Sequence, residues 1–232
     1  MKRAKLNPAV WGSLLAMGIA YLSLDSLPVT AQISPSSPQD SPLSEATLYP
    51  EDFPGFESES PENLAEIRRE IESETGEGVR LQSFFLLYKS TFPDFQVVGG
   101  ATYCINDVVD HDGVDTEGQR DPAELQRLLG GLFTEVNDVL GGADIGDRPD
   151  TTLPDLPQIG DVTVGTRRTI AVLGFPVDMD TIFFQRSSMM GVTITGYLKG
   201  NPPTILPITT AQLLDERIQT VLAGETTPCT DD

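Results

Sequence analysis

The sequence is poor in the residues on which most catalytic and metal sites depend. Histidine occurs once, at position 111, tryptophan once and cysteine twice in 232 residues. A single imidazole excludes most catalytic triads and the histidine-rich zinc sites. Basic residues are also scarce, because 15 lysines and arginines stand against 35 acidic residues, a net charge of −20. A field of this sign repels phosphate backbones and anionic headgroups, so we expect no binding to nucleic acid.

The first 31 residues have the layout of a secretory signal peptide. Three basic residues precede an apolar run over 9–24, and Val29-Thr30-Ala31 offers a cleavage site. The run is shorter than the roughly 20 residues that a spanning helix needs, although an uncleaved membrane anchor is the alternative. We expect cleavage after Ala31 and no membrane contact afterwards. The protein is then exported, to a periplasmic, lumenal or extracellular location.

The two cysteines, Cys104 and Cys229, favour a disulfide. An exported protein folds in an oxidising compartment, where an even number of cysteines usually pairs. Such a bridge would hold the acidic C-terminal tail, residues 225–232, on the domain. The alternative is two unpaired thiols, one buried at Cys104 and one in the tail.

The rest of the chain predicts an arm followed by one domain. Residues 32–60 are rich in proline, serine and acid, which is typical of a linker or a flexible arm. Residues 61–224 predict a single α+β domain in the order α-ββ-α-βββ-α, with an antiparallel β-sheet covered by helices. The predicted helices begin at Pro61, Asp121 and Thr209, and the predicted strands are Val79–Lys89, Phe95–Ile105, Val162–Val172, Val177–Arg186 and Met189–Lys199.

The acidic loop over residues 107–121 is the strongest candidate for a ligand site. Calcium needs several oxygen ligands on a flexible loop, and it is the one cofactor that the sequence suggests. The spacing is not that of an EF-hand, because a predicted strand precedes the loop and Gln119 occupies the twelfth position. A solvated acidic loop is the alternative. The candidate calcium ligands are Asp110, Asp112, Asp115 and Glu117.

Charged residues on the last three strands form a second candidate site. Arg167, Arg168 and Arg186 are clustered cations that can clamp an anionic ligand. Cross-strand pairing with Asp178 and Asp180 is the use that we favour. The same two aspartates are the carboxylate pair on which a hydrolase function would depend.

Four apolar residues form a candidate partner surface. Aromatic and methionine side chains are enriched at protein interfaces, provided that they are exposed. Burial in the core is the alternative. The four residues are Phe53, Phe56, Phe184 and Met189.

The arrangement resembles the PsbP-like fold, a family of exported α/β/α-sandwich domains with an antiparallel sheet and a flexible N-terminal arm. The resemblance covers about residues 48–224 and implies an accessory, assembly or binding subunit without catalytic activity, in some members with calcium. It lies in the FPGF arm (53–56), the strands VRLQSFFLLYK (79–89) and FQVVGGATYC (95–104), the hairpin Asp180–Tyr197 and the helix Ala211–Gly224.

The leading hypothesis is therefore an exported, non-enzymatic binding or accessory protein that acts through protein–protein contacts. A calcium-binding domain built on loop 107–121 is the first alternative. A hydrolase with a carboxylate pair is the second, and no residue is predicted to be catalytic.

Overall fold

The computed structural model describes residues 45–74, 79–91, 93–105, 151–172, 175–224 and 229. Several predictions lie outside these residues: the signal peptide, the loop 107–121 and the helix that begins at Asp121. Within them the helices are α1 (Pro61–Glu74) and α2 (Pro207–Gly224), and the strands are β1 (Glu57–Ser58), β2 (Val79–Lys89), β3 (Gln96–Ile105), β4 (Thr151–Thr152), β5 (Val162–Val172), β6 (Phe175–Arg186) and β7 (Met189–Leu198).

The described strands form one antiparallel sheet in the order β1-β2-β3-β7-β6-β5-β4. This arrangement confirms the predicted α+β class and the predicted antiparallel sheet, in which β5, β6 and β7 are consecutive neighbours. The β6-β7 hairpin turns at Ser187 and Ser188, as predicted. Ser187 has a positive φ of 54°, and its N–H donates a hydrogen bond to Asp161 Oδ2 at 2.7 Å. That side chain holds the tight turn in place.

Helix α1 begins where the sequence predicts. The Ser60 hydroxyl accepts a hydrogen bond from the backbone N–H of Asn63 at 3.3 Å, which satisfies a first-turn donor. Pro61 occupies the first helical position, where no N–H is needed. Ile67 and Ile71 are buried one turn apart, and the helix packs on β2.

Helix α2 begins two residues earlier than predicted, at Pro207. The predicted start at Thr209 is therefore wrong, because Thr209 already lies in the first turn and its N–H bonds to Leu206 O at 3.0 Å. The physical reason is Pro207, whose fixed φ and missing donor suit the first helical position.

Alternation along the strands gives the sheet two buried faces. The core cluster on the α1 side includes Leu86, Tyr103, Met179, Phe183 and Val192, and the same face also buries the polar side chains of Thr181 and Gln185. The face on the α2 side is covered by three segments: α2 itself, residues 45–56 and residues 153–160. Its members are Ala46, Leu48, Phe53, Phe56, Phe85, Leu87, Val98, Cys104, Ile159, Ile182, Phe184, Met189, Ala211, Leu214, Ile218 and Cys229.

Residues 45–56 of the predicted linker or arm are therefore part of the core. The hydroxyl of Ser83 on β2 donates a hydrogen bond to the carbonyl of Ala46. Arg217 on α2 pairs with Asp52 at 2.9 Å. Leu48 and Phe53 are buried beneath these contacts. We call residues 45–56 the arm.

The predicted partner surface is wrong, because all four of its members are buried. Phe53 and Phe56 belong to the arm, which folds back over β2 and β3 as a cover of the sheet. Phe184 is on the α2 side of β6, where its ring occupies the space beside Gly191: a Cβ built at Gly191 would lie 2.2 Å from that ring. The exposed fractions are 1% for Phe53, 6% for Phe56, 1% for Phe184 and 0% for Met189.

Candidate functional site

A cluster of polar side chains lies on the α2 side of the sheet, at the end where β5 and β7 end and β6 begins. The register places Arg167 opposite Asp180 and Thr169 opposite Asp178, and Asp178 opposite Tyr197. Partners in register point to the same face. We call this group the polar cluster: Arg167, Thr169, Asp178, Asp180, Tyr197 and Lys199.

Asp180 is the centre of the polar cluster, and its side chain is fully buried. Its two oxygens accept hydrogen bonds from Arg167 Nε at 2.6 Å and Nη2 at 2.7 Å. Tyr197 donates a third hydrogen bond to Asp180 Oδ2 at 2.9 Å. A buried carboxylate is tolerated when it is paired and hydrogen-bonded in this way.

These contacts shift the pKa values of both partners of Asp180. The hydrogen bond to Asp180 raises the pKa of the Arg167 guanidinium above its ordinary value. Burial raises the pKa of the Tyr197 phenol, and the negative charge of Asp180 raises it further. Arginine therefore stays charged and the phenol stays protonated across the physiological range.

The outer part of the cluster is neutralised by weaker contacts. Thr169 donates a hydrogen bond to Asp178 Oδ1 at 2.6 Å. Lys199 Nζ donates to the same threonine hydroxyl at 3.2 Å. Arg167 thus neutralises Asp180, and Thr169 links the Lys199 ammonium to the Asp178 carboxylate.

The structure brings the two aspartates of the hydrolase hypothesis together, on alternate residues of β6. A general acid or base needs a carboxyl oxygen that is free to exchange a proton with substrate. Both oxygens of Asp180 are instead bonded within the fold, while the paired Arg167 side chain is 44% exposed. The contacts of Asp180 with Arg167 and Tyr197 instead join β5, β6 and β7 to one another.

Arg186 has a partner that sequence reasoning missed. Its guanidinium pairs with Asp215 on α2, with Nη2 2.6 Å from Oδ2, and not with Asp178 or Asp180 as expected. Gln219 donates a further hydrogen bond to Asp215 at 2.8 Å, and the hydrogen bond to Asp215 raises the pKa of Arg186. The one sequence feature that could have indicated this ion pair is Asp215 itself, an acidic residue next to the apolar face of α2.

The disulfide prediction is confirmed, because Cys104 on β3 is bonded to Cys229. Both cysteines belong to the core on the α2 side. Cys104 lies opposite Met189 of β7, at the end of the sheet away from the polar cluster. The bridge spans a sequence separation of 125 residues and attaches the tail after α2 to the sheet.

The calcium hypothesis is untested, because Asp110, Asp112, Asp115 and Glu117 lie outside the described residues. Among the residues that the structure does describe, no three His, Cys, Asp or Glu side chains are grouped so that they could hold a metal. In the same part of the chain, neither helix is both long and apolar enough to cross a membrane.

Large exposed apolar side chains mark a surface that sequence reasoning did not find. In the described part of the chain they are Tyr49, Phe175 and Leu206, with exposed fractions of 46%, 57% and 55%. Phe175 begins β6, and Leu206 follows Ile205, whose backbone N–H is 3.0 Å from Gln96 Oε1 at the start of β3. Phe175 and Leu206 therefore lie at the same end of the sheet, with Phe175 on the α1 side of β6 and Leu206 immediately before α2. We call this end the strand-end surface.

Comparisons with known proteins identify no family. No protein-family model and no curated protein matches the chain. A solved structure described as "Crystal structure of LpqN involved in cell envelope biogenesis of Mycobacterium tuberculosis" is 12% identical over 70% of this chain and 83% of that chain, with a TM-score of 0.28. A similarity this low supports no argument about function. The resemblance to the PsbP-like fold stays a prediction.

Proposed function

We propose that this chain is an exported, non-enzymatic accessory protein that acts by binding another protein. The pairing of the polar cluster is the observation that carries the proposal. Its central carboxylate, Asp180, accepts three hydrogen bonds from Arg167 and Tyr197. A group held in this way stabilises a scaffold and is poorly placed to exchange protons with a substrate.

The disulfide supports the exported location. Stable disulfides form in oxidising compartments and are rare in the cytosol. The bond between Cys104 and Cys229 joins the core to the tail, so it is a structural bridge. It agrees with the signal peptide predicted for residues 1–31.

Exposed apolar side chains support binding to a protein. Interface cores are enriched in aromatic and other apolar residues, and an exposed apolar side chain fits such a surface. On the strand-end surface, Phe175 and Leu206 are more than half exposed.

A quantitative binding experiment tests this function. Residues 32–232, immobilised with the disulfide intact, are exposed to native extract of the source cells, and any retained protein is purified and titrated against the free chain. We expect a saturable partner whose affinity falls at least tenfold for the double variant Phe175→Ser with Leu206→Ser. Tyr49→Ser is the matched control, because it removes an exposed aromatic residue that belongs to the arm.

Two outcomes contradict the proposal. One is the absence of any saturable partner. The other is hydrolysis of an ester, peptide or glycoside substrate panel that is lost in Asp178→Asn, because that result would restore the carboxylate pair as a catalytic group.

A further inference from the structure

Three buried hydroxyl groups lie between β7 and α2. They belong to Thr193 and Thr195 on β7 and to Thr210 on α2, with exposed fractions of 1%, 0% and 0%. None of the three side-chain oxygens has a hydrogen-bond partner in the part of the chain that the structure describes. Buried hydroxyls in folded proteins are almost always hydrogen-bonded, to protein or to ordered water.

The topology places the three hydroxyls in one region. Thr193 and Thr195 are alternate residues of β7 and point to the same face. Thr195 lies opposite Asp180, which puts this face on the α2 side. Helix α2 packs on β6 and β7, and its buried Thr210 comes one turn after Leu206. The first turn lies over the same end of the sheet because Gln96, opposite Tyr197, binds the backbone of Ile205.

We infer that this region is an internal water site, in which one or two ordered water molecules bridge Thr193, Thr195 and Thr210. A hydroxyl both donates and accepts, so three of them offer the two to four polar partners that a buried water needs. Charge excludes an ion as the ligand. The neighbouring carboxylate of Asp180 is already neutralised by Arg167, and the hydroxyls carry no charge.

The polar cluster connects this site to solvent. Arg167 is 44% exposed and binds the fully buried Asp180, and Asp180 is the register partner of Thr195. Polar atoms therefore continue from the surface to the space beneath α2.

The test combines a crystal structure of the oxidised chain at about 1.5 Å with the sign of a stability change. Thr195→Val keeps the shape and removes the hydroxyl. If the hydroxyl binds water, its loss breaks a hydrogen bond and we expect Tm to fall by about 2–6 °C. If the hydroxyl has no partner at all, the same change removes a buried polar group and Tm rises.

Thr102→Val is the matched control on the same face of the sheet. Thr102 is fully buried, and its hydroxyl is 2.7 Å from that of Ser83. This variant measures the fall in Tm that accompanies the loss of one direct hydrogen bond. Thr195→Ser, which keeps the hydroxyl, is expected to bind the water as the parent chain does.

The inference holds if electron density shows a water within about 3.2 Å of two or more of the three hydroxyl oxygens and Tm falls in Thr195→Val. Density without water, or a Tm that is unchanged or higher in Thr195→Val, overturns it. If Thr195→Val does not fold, the crystal structures of the parent chain and of Thr195→Ser decide the question.

Discussion

The two faces of the sheet are stabilised by different means. On the α1 side the core cluster consists of apolar side chains, and α1 itself packs on β2. On the α2 side the apolar core is supplemented by a disulfide and by the ion pairs Arg167–Asp180 and Arg186–Asp215. Within the described residues, the disulfide and these two ion pairs therefore join distant segments of the chain on the α2 side.

The covers of the α2 side explain this difference. The arm and α2 come from opposite ends of the described chain, and each is continuous with the sheet at one end only, through β1 or β7. A segment of that kind loses much conformational entropy when it docks. Burial of Phe53, the Asp52–Arg217 pair and the bond to Cys229 offset that loss.

Removal of the disulfide is expected to have the largest effect. Cys104→Ser with Cys229→Ser releases a loop of 125 residues, for which the chain-entropy model predicts a loss of about 3–5 kcal/mol in the free energy of unfolding. Urea denaturation of the variant and of the oxidised parent measures it. Parent protein reduced before denaturation is the control and should match the variant. Equal stability of the oxidised parent and the variant would contradict the tether.

Truncation of Phe53, the buried aromatic residue of the arm, tests whether the arm is a segment of the core or only a linker. Phe53→Ala is expected to lower the free energy of unfolding by about 3–5 kcal/mol, because the side chain is fully buried. Ile71→Ala makes the equivalent change on the α1 side, where we expect about 2–5 kcal/mol. Glu51→Ala, at an exposed arm position, is the control. A Phe53→Ala variant as stable as this control would show that the arm is only a linker.

Neutralising the centre of the polar cluster has a smaller expected effect. Asp180→Asn removes the negative charge that Arg167 and Tyr197 share, and we expect a loss of about 2–3 kcal/mol in the free energy of unfolding. Thr181→Val is the matched change on the α1 side of the same strand. Its hydroxyl makes no ion pair and no hydrogen bond to protein among the described residues, so we expect that variant to lose at most about 1 kcal/mol. Equal losses in both variants would mean that the two faces do not differ.

Alkaline pH should weaken the fold through one tyrosine on each face. Burial raises the pKa of Tyr103 on the α1 side and of Tyr197 on the α2 side above the ordinary value of about 10. Below pH 10 both phenols are protonated in the folded and unfolded chains, and their contribution is complete. Above pH 10 the two phenols lose their protons at a lower pH in the unfolded chain than in the folded chain. The free energy of unfolding therefore falls as pH rises.

Denaturation between pH 8 and pH 11 measures this dependence. Tyr103→Phe is expected to reduce the slope with at most a small loss of stability at pH 8, because its hydroxyl makes no hydrogen bond to protein in the described part of the chain. Tyr197→Phe should also reduce the slope, but it loses the hydrogen bond to Asp180. Parallel pH profiles for the parent and both variants would disprove the assignment.

The surface ion pair between the arm and α2 should matter least. The Arg217 side chain is 46% exposed, and exposed pairs contribute about 0–1 kcal/mol. Arg217→Ala is therefore expected to lower the free energy of unfolding by that amount, and high salt should reduce the difference. A loss above about 2 kcal/mol would show that the pair, and not the burial of Phe53, holds the arm.

Helix and strand boundaries that depend on residues close together in the chain were predictable from the sequence. The Ser60–Pro61 start of α1 and the bounds of β5 follow from capping chemistry and strand period within a few residues. The predicted start of α2 at Thr209 was wrong, because the helix begins at Pro207. Partners far apart in the chain were harder: Arg186 and Asp215 are 29 residues apart, and no local pattern relates them.

The composition and the strand period by themselves determined an α+β domain, and the two cysteines favoured a disulfide. Tertiary structure alone decided that the arm is core, that Tyr197 joins the expected Arg167–Asp180 pair, and that Phe175 and Leu206 remain exposed. The reason is physical. Secondary structure depends on neighbours a few residues away, whereas burial and ion pairing depend on which segments meet across the sheet, and that is set by the register and the packing of the whole chain.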